Sequence, residues 1–255
     1  MAFTTPGTAT AGEVLTAAFW NTNVRDNLNQ LATGYTFVET VYFTSSGTFT
    51  KATYPYLRAI RVRLVGAGGG GCGAGATGVS QASQGDGAGG GGYAEKFITD
   101  IAGLASSVTV TVGAGGAGGV HGSSNGATGG ASSFGADVAA NGGTGGISRG
   151  AFAYGPIFYL ASTAVGGSGT AGDLLIEGDP AEVMSSNSGS GFALSMGGGG
   201  SKLGPSSGRL STTTKTNVPG KLYGGGAGGA VCDASETAQD GAAGGAGIVI
   251  VELYA

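Results

Sequence analysis

The hydrophobic and polar positions divide the chain into one helical segment followed by β-structure. Over residues 10–34, apolar residues recur at steps of three and four, which is the spacing of one helix face. Thr10 and Glu13 fit a capping box at the start, and Gly34 is a natural stop at the end. This pattern predicts a single short helix within residues 1–34.

One face of this helix carries a short heptad seam. Its members are Val14, Ala17, Asn21, Val24, Leu28 and Leu31. A polar residue in such a seam, here Asn21, fixes register and strand number. The seam spans about two and a half heptads, fewer than a coiled coil usually needs. We predict that it oligomerises the chain; the alternative is a helix packed on its own domain or on a neighbouring protein.

From residue 35 onward the hydrophobic period becomes two, which predicts β-strands. The clearest alternation places Ile60, Val62 and Leu64 on one face of a half-buried strand. Residues 248–251 are apolar on both faces, which is typical of a central strand covered on both sides. In residues 36–51 the pattern is strand, turn, strand. Further strands are predicted within residues 91–101 and 106–116.

Clusters of glycine separate these strands, and glycine makes up 58 of the 255 residues. The clusters cover residues 66–76, 87–92, 113–119, 125–135, 141–146, 197–200, 224–229 and 241–247. A threefold extended helix has no internal hydrogen bonds, so several packed together would satisfy one another's backbone groups. We therefore expect a mostly β fold with a short N-terminal helix, in which a β-sandwich-like sheet packs with a bundle of polyglycine-II helices. Loops at strand ends are the alternative.

The composition argues for a folded chain without a nucleic-acid partner. Charged residues make up 10%, hydrophobic residues 40%, and the formal net charge is −4. Such a chain is too apolar and too weakly charged for disorder. The scattered Lys and Arg residues provide no phosphate-binding footprint. The sequence has no apolar run of the ~20 residues that a membrane span needs. The start lacks a secretory signal, so we expect synthesis in a cytoplasm.

Motifs for catalysis or metal binding are weak. Residues 122–126 and 204–208 match G-x-S-x-G, but neither lies between a strand and a helix as a nucleophile elbow requires. No Cys/His spacing suits zinc. Cys72 and Cys232 are too few for a disulfide framework, so we expect two small free thiols, with a bridge as the alternative. We predict no enzymatic activity, no cofactor and no metal.

Three excursions rich in side chains interrupt the glycine clusters, at residues 147–165, 173–196 and 201–223. The aromatic residues of the first form either a local mini-core or an exposed recognition surface. Function concentrates on loops that a rigid scaffold holds. The candidate receptor-binding residues are Arg149, Phe152, Tyr154, Phe158, Tyr159 and Phe192.

The ordered series of segments resembles a known group of proteins. Residues 5–28 are similar to the N-terminal attachment segment of tailed-phage tail-fibre and minor tail proteins. The segments "YLRAIRVRLVGAGGGG", "VTVTVGAGGAGG" and "GAGIVIVELY" resemble the glycine-rich domain of phage tail proteins, which is similar to glycine-rich tail-tip adhesins. The resemblance implies an attachment segment in residues 1–34 and an adhesin domain in residues 35–255.

The same resemblance implies a virion protein of a tail fibre or tail tip that binds a host receptor without catalysis. It implies a homotrimer, other tail proteins as partners of the N-terminal segment, and a glycan or envelope component of the host surface as receptor. A structural fibre or decoration protein without receptor binding is the first alternative. An ice- or surface-binding glycine-helix protein is the second, disfavoured because a threonine-rich run occurs only at residues 211–216.

Overall fold

The computed structural model describes residues 16–25, 28, 34–122, 124–155, 158–160, 163–182, 184–186, 196–208 and 218–255. Helical structure there comprises helix α1 (Ala17–Trp20), a π-helical turn (Asn21–Arg25) and a 3-10 turn (Lys51–Thr53). The strands, in chain order, are β1 (Phe37–Phe43), β2 (Gly47–Thr50), β3 (Ala59–Val65), β4 (Gln81–Gly85), β5 (Tyr93–Ile98), β6 (Ser107–Thr111), β7 (Ser132–Phe134), β8 (Val138–Ala140), β9 (Ser148–Ala153), β10 (Phe158–Leu160), β11 (Gly169–Ala171), β12 (Leu174–Ile176), β13 (Met184–Ser186), β14 (Val231–Cys232) and β15 (Ile248–Tyr254).

Two five-stranded antiparallel sheets pack as a sandwich. Their strand orders are β1-β15-β3-β5-β12 and β11-β8-β7-β6-β2. The core between them buries Ile60, Val62 and Leu64 from the first sheet against Phe49 and Phe134 from the second. The predicted mostly β fold with one short helix is therefore confirmed, and so is the alternation predicted for β3.

The outer face of the first sheet carries a ladder of charges. Arg61 and Arg63 of β3 point away from the core and pair with Glu95 and Glu252 on the neighbouring strands. The Arg61 Nε donates to Glu95 Oε1 at 2.6 Å. Two arginines and two glutamates balance one another, so this face carries no net charge from the ladder.

Strand β15 is covered on both faces at its start, as the sequence predicted. Val249 and Val251 belong to the sandwich core, whereas Ile248 and Ile250 pack on the other face with Val65 and Tyr93. The strands predicted within residues 36–51 are present, but they do not pair with each other. β1 pairs with β15, and β2 pairs with β6 in the opposite sheet. The turn between them is a crossover from one sheet to the other.

The glycine segment 66–74 is surrounded by six other segments. Its backbone N–H groups donate, residue by residue in rotation, to residues 86–92, 124–130 and 239–245, at 2.9–3.1 Å. Its carbonyl oxygens accept, in a second rotation, from residues 143–146, 116–119 and 227–230. Consecutive residues of the segment therefore bond to different neighbouring segments, and the same neighbour recurs at every third residue. This stretch is therefore the centre of a hydrogen-bonded bundle and not an isolated loop.

The close approach of these backbones depends on missing side chains. A Cβ added to Gly91 would lie 1.8 Å from the carbonyl oxygen of Gly66, and one added to Gly68 would lie 2.0 Å from that of Gly225. The few residues with a Cβ inside the segment, such as Ala67 and Cys72, are fully buried. Backbone packing that tight satisfies polar groups that neither water nor side chains reach.

The segments of the bundle alternate in direction. β3 leads away from the sandwich into residues 66–74, and residues 86–92 lead back into β5. Each such pair is antiparallel by its hydrogen bonds. Four further outgoing and returning pairs are 113–119 with 124–130, 141–146 with 164–168, 178–182 with 196–200, and 225–230 with 241–247.

A smaller sheet extends the bundle at the end away from the sandwich. β9 and β14 continue the outgoing segments 141–146 and 225–230, while β4 leads into the returning segment 86–92. These strands form a sheet of order β14-β4-β9, which we call the distal sheet. β10 and β13 form a separate two-stranded pair.

The N-terminal segment joins the sandwich at the opposite end from the bundle. β15 runs from the bundle to Tyr254, and Phe37 at the start of β1 pairs with Tyr254. Thr36 and Ala255 exchange two backbone hydrogen bonds of 3.1 and 2.9 Å. These elements therefore follow a fixed order along one axis: the start of β1, the sandwich, the glycine bundle and the distal sheet.

The described part of the predicted helix comprises helix α1, the π-helical turn and Leu28, and no residue of α1 is buried. The Thr16 hydroxyl caps α1 by accepting from the Phe19 backbone N–H at 3.2 Å. Of the seam, Ala17 and Leu28 are exposed, and Asn21 and Val24 are half-buried. Val14 and Leu31, with the predicted caps Thr10 and Glu13, lie outside the described residues.

Candidate recognition site at the distal end

The tip of the distal sheet is built where its strands turn. The Tyr154 N–H after β9 donates to the Ser80 carbonyl at 2.9 Å, and the Ser235 N–H donates to the Gly78 carbonyl at 3.1 Å. Ser80 and Ser235 both adopt left-handed backbone, with φ of 58° and 59°. Between these turns Val79 is 85% exposed. Val79 is therefore presented to solvent on a turn that backbone hydrogen bonds tie to its neighbours.

A network of polar groups lies at the same turns as Val79. The Tyr154 hydroxyl donates to the carboxylate of Asp233, and this hydrogen bond raises the Tyr154 pKa. The Asp233 N–H in turn donates to Glu236 Oε2 at 2.8 Å, and the Thr77 hydroxyl donates to the Asp233 carbonyl. The tip therefore offers an apolar contact flanked by a phenol, a hydroxyl and two carboxylates, which can accept hydrogen bonds from hydroxyl groups.

Arg149 is anchored inside the distal sheet. Its Nε donates to Asp86 Oδ1 at 3.1 Å and its Nη2 donates to Asp86 Oδ2 at 2.9 Å, a bidentate pair. The Asp86 side chain is 1% exposed and that of Arg149 is 26% exposed. This hydrogen bonding raises the Arg149 pKa. The pair fastens β9 to the first residue of the returning glycine segment.

The other candidate receptor residues occupy different surroundings. Phe152 and Tyr154 are half-buried and pack on Ala82 and Val231, with Val218 beside them. This is the local mini-core that the sequence left as one of two alternatives. Phe158 and Tyr159 lie in β10, which pairs with β13. Phe192 lies outside the described residues.

Both cysteines are free and buried, as predicted. A Cβ on Gly85 would meet the Cys72 sulfur at 2.5 Å, so the thiol fills the junction between the central glycine segment and the distal sheet. Burial raises the Cys72 pKa to about 11.

The remaining chemistry of the described residues is sparse. Within them, no group of three or more His, Cys, Asp or Glu side chains could hold a metal ion. Nor does any helix in the described part of the chain have the length and apolarity needed to cross a membrane. The His121 Nδ1 lies 3.1 Å from Asp240 Oδ1, with both side chains largely exposed. Ser124, from the first G-x-S-x-G match, accepts a backbone hydrogen bond from Gly73.

Comparison with known proteins identifies the domain that carries this site. Residues 44–254 match the family described as a glycine-rich domain. The chain belongs to this family. The glycine-rich domain thus begins directly after β1 and includes β2 to β15, the bundle and the distal sheet. No curated protein matches the sequence.

Sequence reasoning missed the tip and the buried ion pair. Asp86 and Arg149 are 63 residues apart, and no local pattern joins them. Val79 and Asp233 lie in short segments between glycine clusters, outside the three long excursions that drew attention. A charged residue inside a glycine run was the available signal, because such a residue needs a partner when the run is packed.

Proposed function

We propose that this protein is a non-catalytic virion adhesin of a tailed phage, placed at a tail fibre or tail tip. The N-terminal segment would attach to other tail proteins, and the distal end would contact the host surface. One observation supports this proposal above the others: the chain enters β1 at the end of the sandwich opposite the bundle and the distal sheet. A protein that attaches at one end and recognises at the other requires that separation.

The glycine bundle would serve as a stiff spacer in this protein. We infer that its segments are polyglycine-II helices, because a partner that returns at every third residue matches a helix of three residues per turn. Each backbone hydrogen bond contributes roughly 0.5–1.5 kcal/mol net, and many small contributions add across the bundle. A lattice of this kind resists bending since every segment is held from several sides.

The excursions open at the distal end. Residues 147–164 connect the outgoing segment 141–146 to its returning partner and include β9. Residues 183–195 connect the next such pair. Gly208 and Val218, which flank residues 209–217, both lie beside Gly228 in the outer part of the bundle. The described residues that flank these three connections therefore lie in the outer part of the bundle, and variation in such connections would change specificity without changing the scaffold.

The tip chemistry favours a hydroxyl-rich ligand such as a host cell-surface glycan. Val79 supplies an apolar contact, and the Asp233 and Glu236 carboxylates accept hydrogen bonds from sugar hydroxyls. Tyr154 supplies an aromatic edge beside them. Receptor sites of this type combine apolar surface with a few placed polar groups.

Binding of labelled full-length protein to host cells tests the proposal. Val79→Arg should reduce the amount bound at a given concentration at least tenfold, whereas Leu174→Arg, on the exposed edge strand β12 of the sandwich, should bind like the unaltered protein. Both variants change exposed side chains, so both should fold. Equal binding of all three proteins would refute recognition at the tip.

Phage particles that carry the variant chain would distinguish an adhesin from a purely structural protein. Particles that carry Val79→Arg should assemble with the chain present in their tails but adsorb poorly to cells. Particles that assemble and adsorb normally would instead favour the fibre or decoration component without receptor binding. Purified particles that lack the chain would refute the virion assignment itself.

A further inference from the structure

An aromatic surface lies at the attachment end of the sandwich, far from the distal tip. Four rings form it, and we call it the aromatic patch: Tyr35, Phe37, Phe97 and Tyr254. Their edge-to-face contacts run Tyr35 to Phe97 at 5.4 Å, Phe97 to Tyr254 at 5.6 Å, and Tyr254 to Phe37 at 6.0 Å between ring centroids. The patch is thus one connected surface that crosses the outer face of the first sheet.

The patch is exposed in the single chain. Phe37 is 55% exposed, Phe97 and Tyr35 are also exposed, and Tyr42 further along β1 is 64% exposed. Isolated exposed apolar residues are ordinary, but a contiguous group of large aromatic side chains marks a contact surface. Aromatic residues are also enriched at the centres of protein interfaces.

The N-terminal helix of the same chain does not cover this patch. Residues 17–20 of α1 include no buried residue, and Trp20 and Leu28 are more than half exposed. In the sequence, Leu28 precedes Tyr35 by seven residues. Two sets of exposed apolar side chains are therefore close together along the chain.

We propose that the aromatic patch is an interface between copies of this chain, continuous with the helical seam. This proposal rests on the proposed attachment role of the N-terminal segment and names a further part of its self-association surface. Copies held together by their helices bring the adjacent patches to a common axis, where rings of one copy can pack on those of the next.

The charges beside the patch permit this contact. Arg61, Arg63, Glu95 and Glu252 form an internally balanced ladder next to the rings. The ladder therefore adds no excess of like charge to a contact between two identical faces. A basic or acidic partner would gain little from such a face, which favours a second copy over a charged partner.

Sedimentation of the full-length chain over a range of concentrations tests the proposal. The unaltered protein should sediment as an oligomer. Phe37→Lys and Phe97→Lys should each raise the concentration at half-dissociation at least tenfold, because burial of a lysine at an interface is costly. Val120→Lys, which alters an exposed apolar residue far from the patch, should leave the concentration at half-dissociation unchanged.

Cross-linking provides a second measurement that does not depend on a disruptive charge. Both native cysteines are buried, so Tyr35→Cys introduces a single accessible thiol. Mild oxidation with copper phenanthroline should convert this variant to covalent dimers at concentrations where Val120→Cys stays uncross-linked. Equal cross-linking of the two variants would overturn the proposal.

The remaining outcomes also decide the question. An unaltered chain that sediments as a monomer would overturn self-association altogether. An oligomer whose dissociation is unaffected by both lysine variants would overturn the aromatic patch as an interface, but it would leave association through the helical seam possible. Neither result bears on recognition at the tip, because Val79→Arg is assayed on cells and should sediment like the unaltered protein.

Discussion

Gly70 and Ala117 belong to neighbouring segments that touch through bare backbone. A Cβ added to Gly70 would lie 2.0 Å from the Ala117 carbonyl oxygen, far inside any real contact between such atoms. Gly70 also donates its N–H to Ala127 at 2.9 Å and accepts from Gly146 at 2.9 Å. The residue is therefore held on several sides, and its lack of a side chain is a condition of the fold.

Gly70→Ala should destabilise the domain severely. The new methyl group must push two backbones apart, and overpacking of this kind costs about 3 kcal/mol or more. Urea unfolding followed by circular dichroism would measure the loss. Gly208→Ala is the matched control, because a Cβ there meets no atom of the described residues within 4 Å, and its midpoint should stay unchanged. A Gly70→Ala midpoint equal to that of the control would contradict the packing of the central segment.

The sequence predicts the strands far better than it predicts their neighbours. Alternation placed Ile60, Val62 and Leu64 in the core, since side chains report which face is buried. Glycine carries no such signal, so nothing in the sequence states that segment 66–74 contacts residues 239–245. The pairing of β1 with β15 joins residues 37–43 to residues 249–254, and that distance in sequence hides it from any local pattern.

Removing Arg149 should destabilise the distal sheet more than removing a surface arginine. Arg149→Ala leaves the buried Asp86 carboxylate without its bidentate partner, at a cost of roughly 3 kcal/mol or more. Arg61→Ala breaks a more exposed pair with Glu95 and should cost roughly 1 kcal/mol or less. Arg149→Lys should recover only part of the loss because an ammonium group cannot pair with both oxygens. Equal destabilisation by the two alanine variants, measured by thermal unfolding, would argue against a buried pair.

Acid should weaken the sandwich through Glu95. Burial acts to raise the Glu95 pKa, but hydrogen bonds from Tyr93 and Arg61 outweigh it, and the net pKa is lowered from 4.5. A carboxylate with a lowered folded pKa contributes stability that is present above pH 4.5 and is lost as pH falls through the folded pKa. Glu95→Gln should therefore lower the free energy of unfolding at pH 7 and flatten its decrease below pH 4.5. Parallel curves for the two proteins would contradict the assignment.

Neither cysteine should react in the folded protein. Cys72 and Cys232 are both fully buried and free, so Ellman's reagent at pH 8 should find no accessible thiol before denaturation and two after it. The count of two after denaturation separates free thiols from a bridge, which would give none. Rapid reaction of the native protein would contradict the closed junction between the bundle and the distal sheet.

Alkali should destabilise the same junction through the Cys72 thiol. Burial raises its pKa from 9.0 to about 11, because a thiolate there would lose its hydration. The folded state thus holds this proton more tightly than the unfolded state, and the stabilisation present below pH 9 is lost as pH rises toward 11. A raised pKa of this size corresponds to roughly 2–3 kcal/mol over that range. Tyrosines also titrate there, so the comparison is with Cys72→Ala, whose unfolding free energy should fall less steeply between pH 9 and 11. If the slopes of the two proteins coincide, the thiol is not sequestered in the bundle.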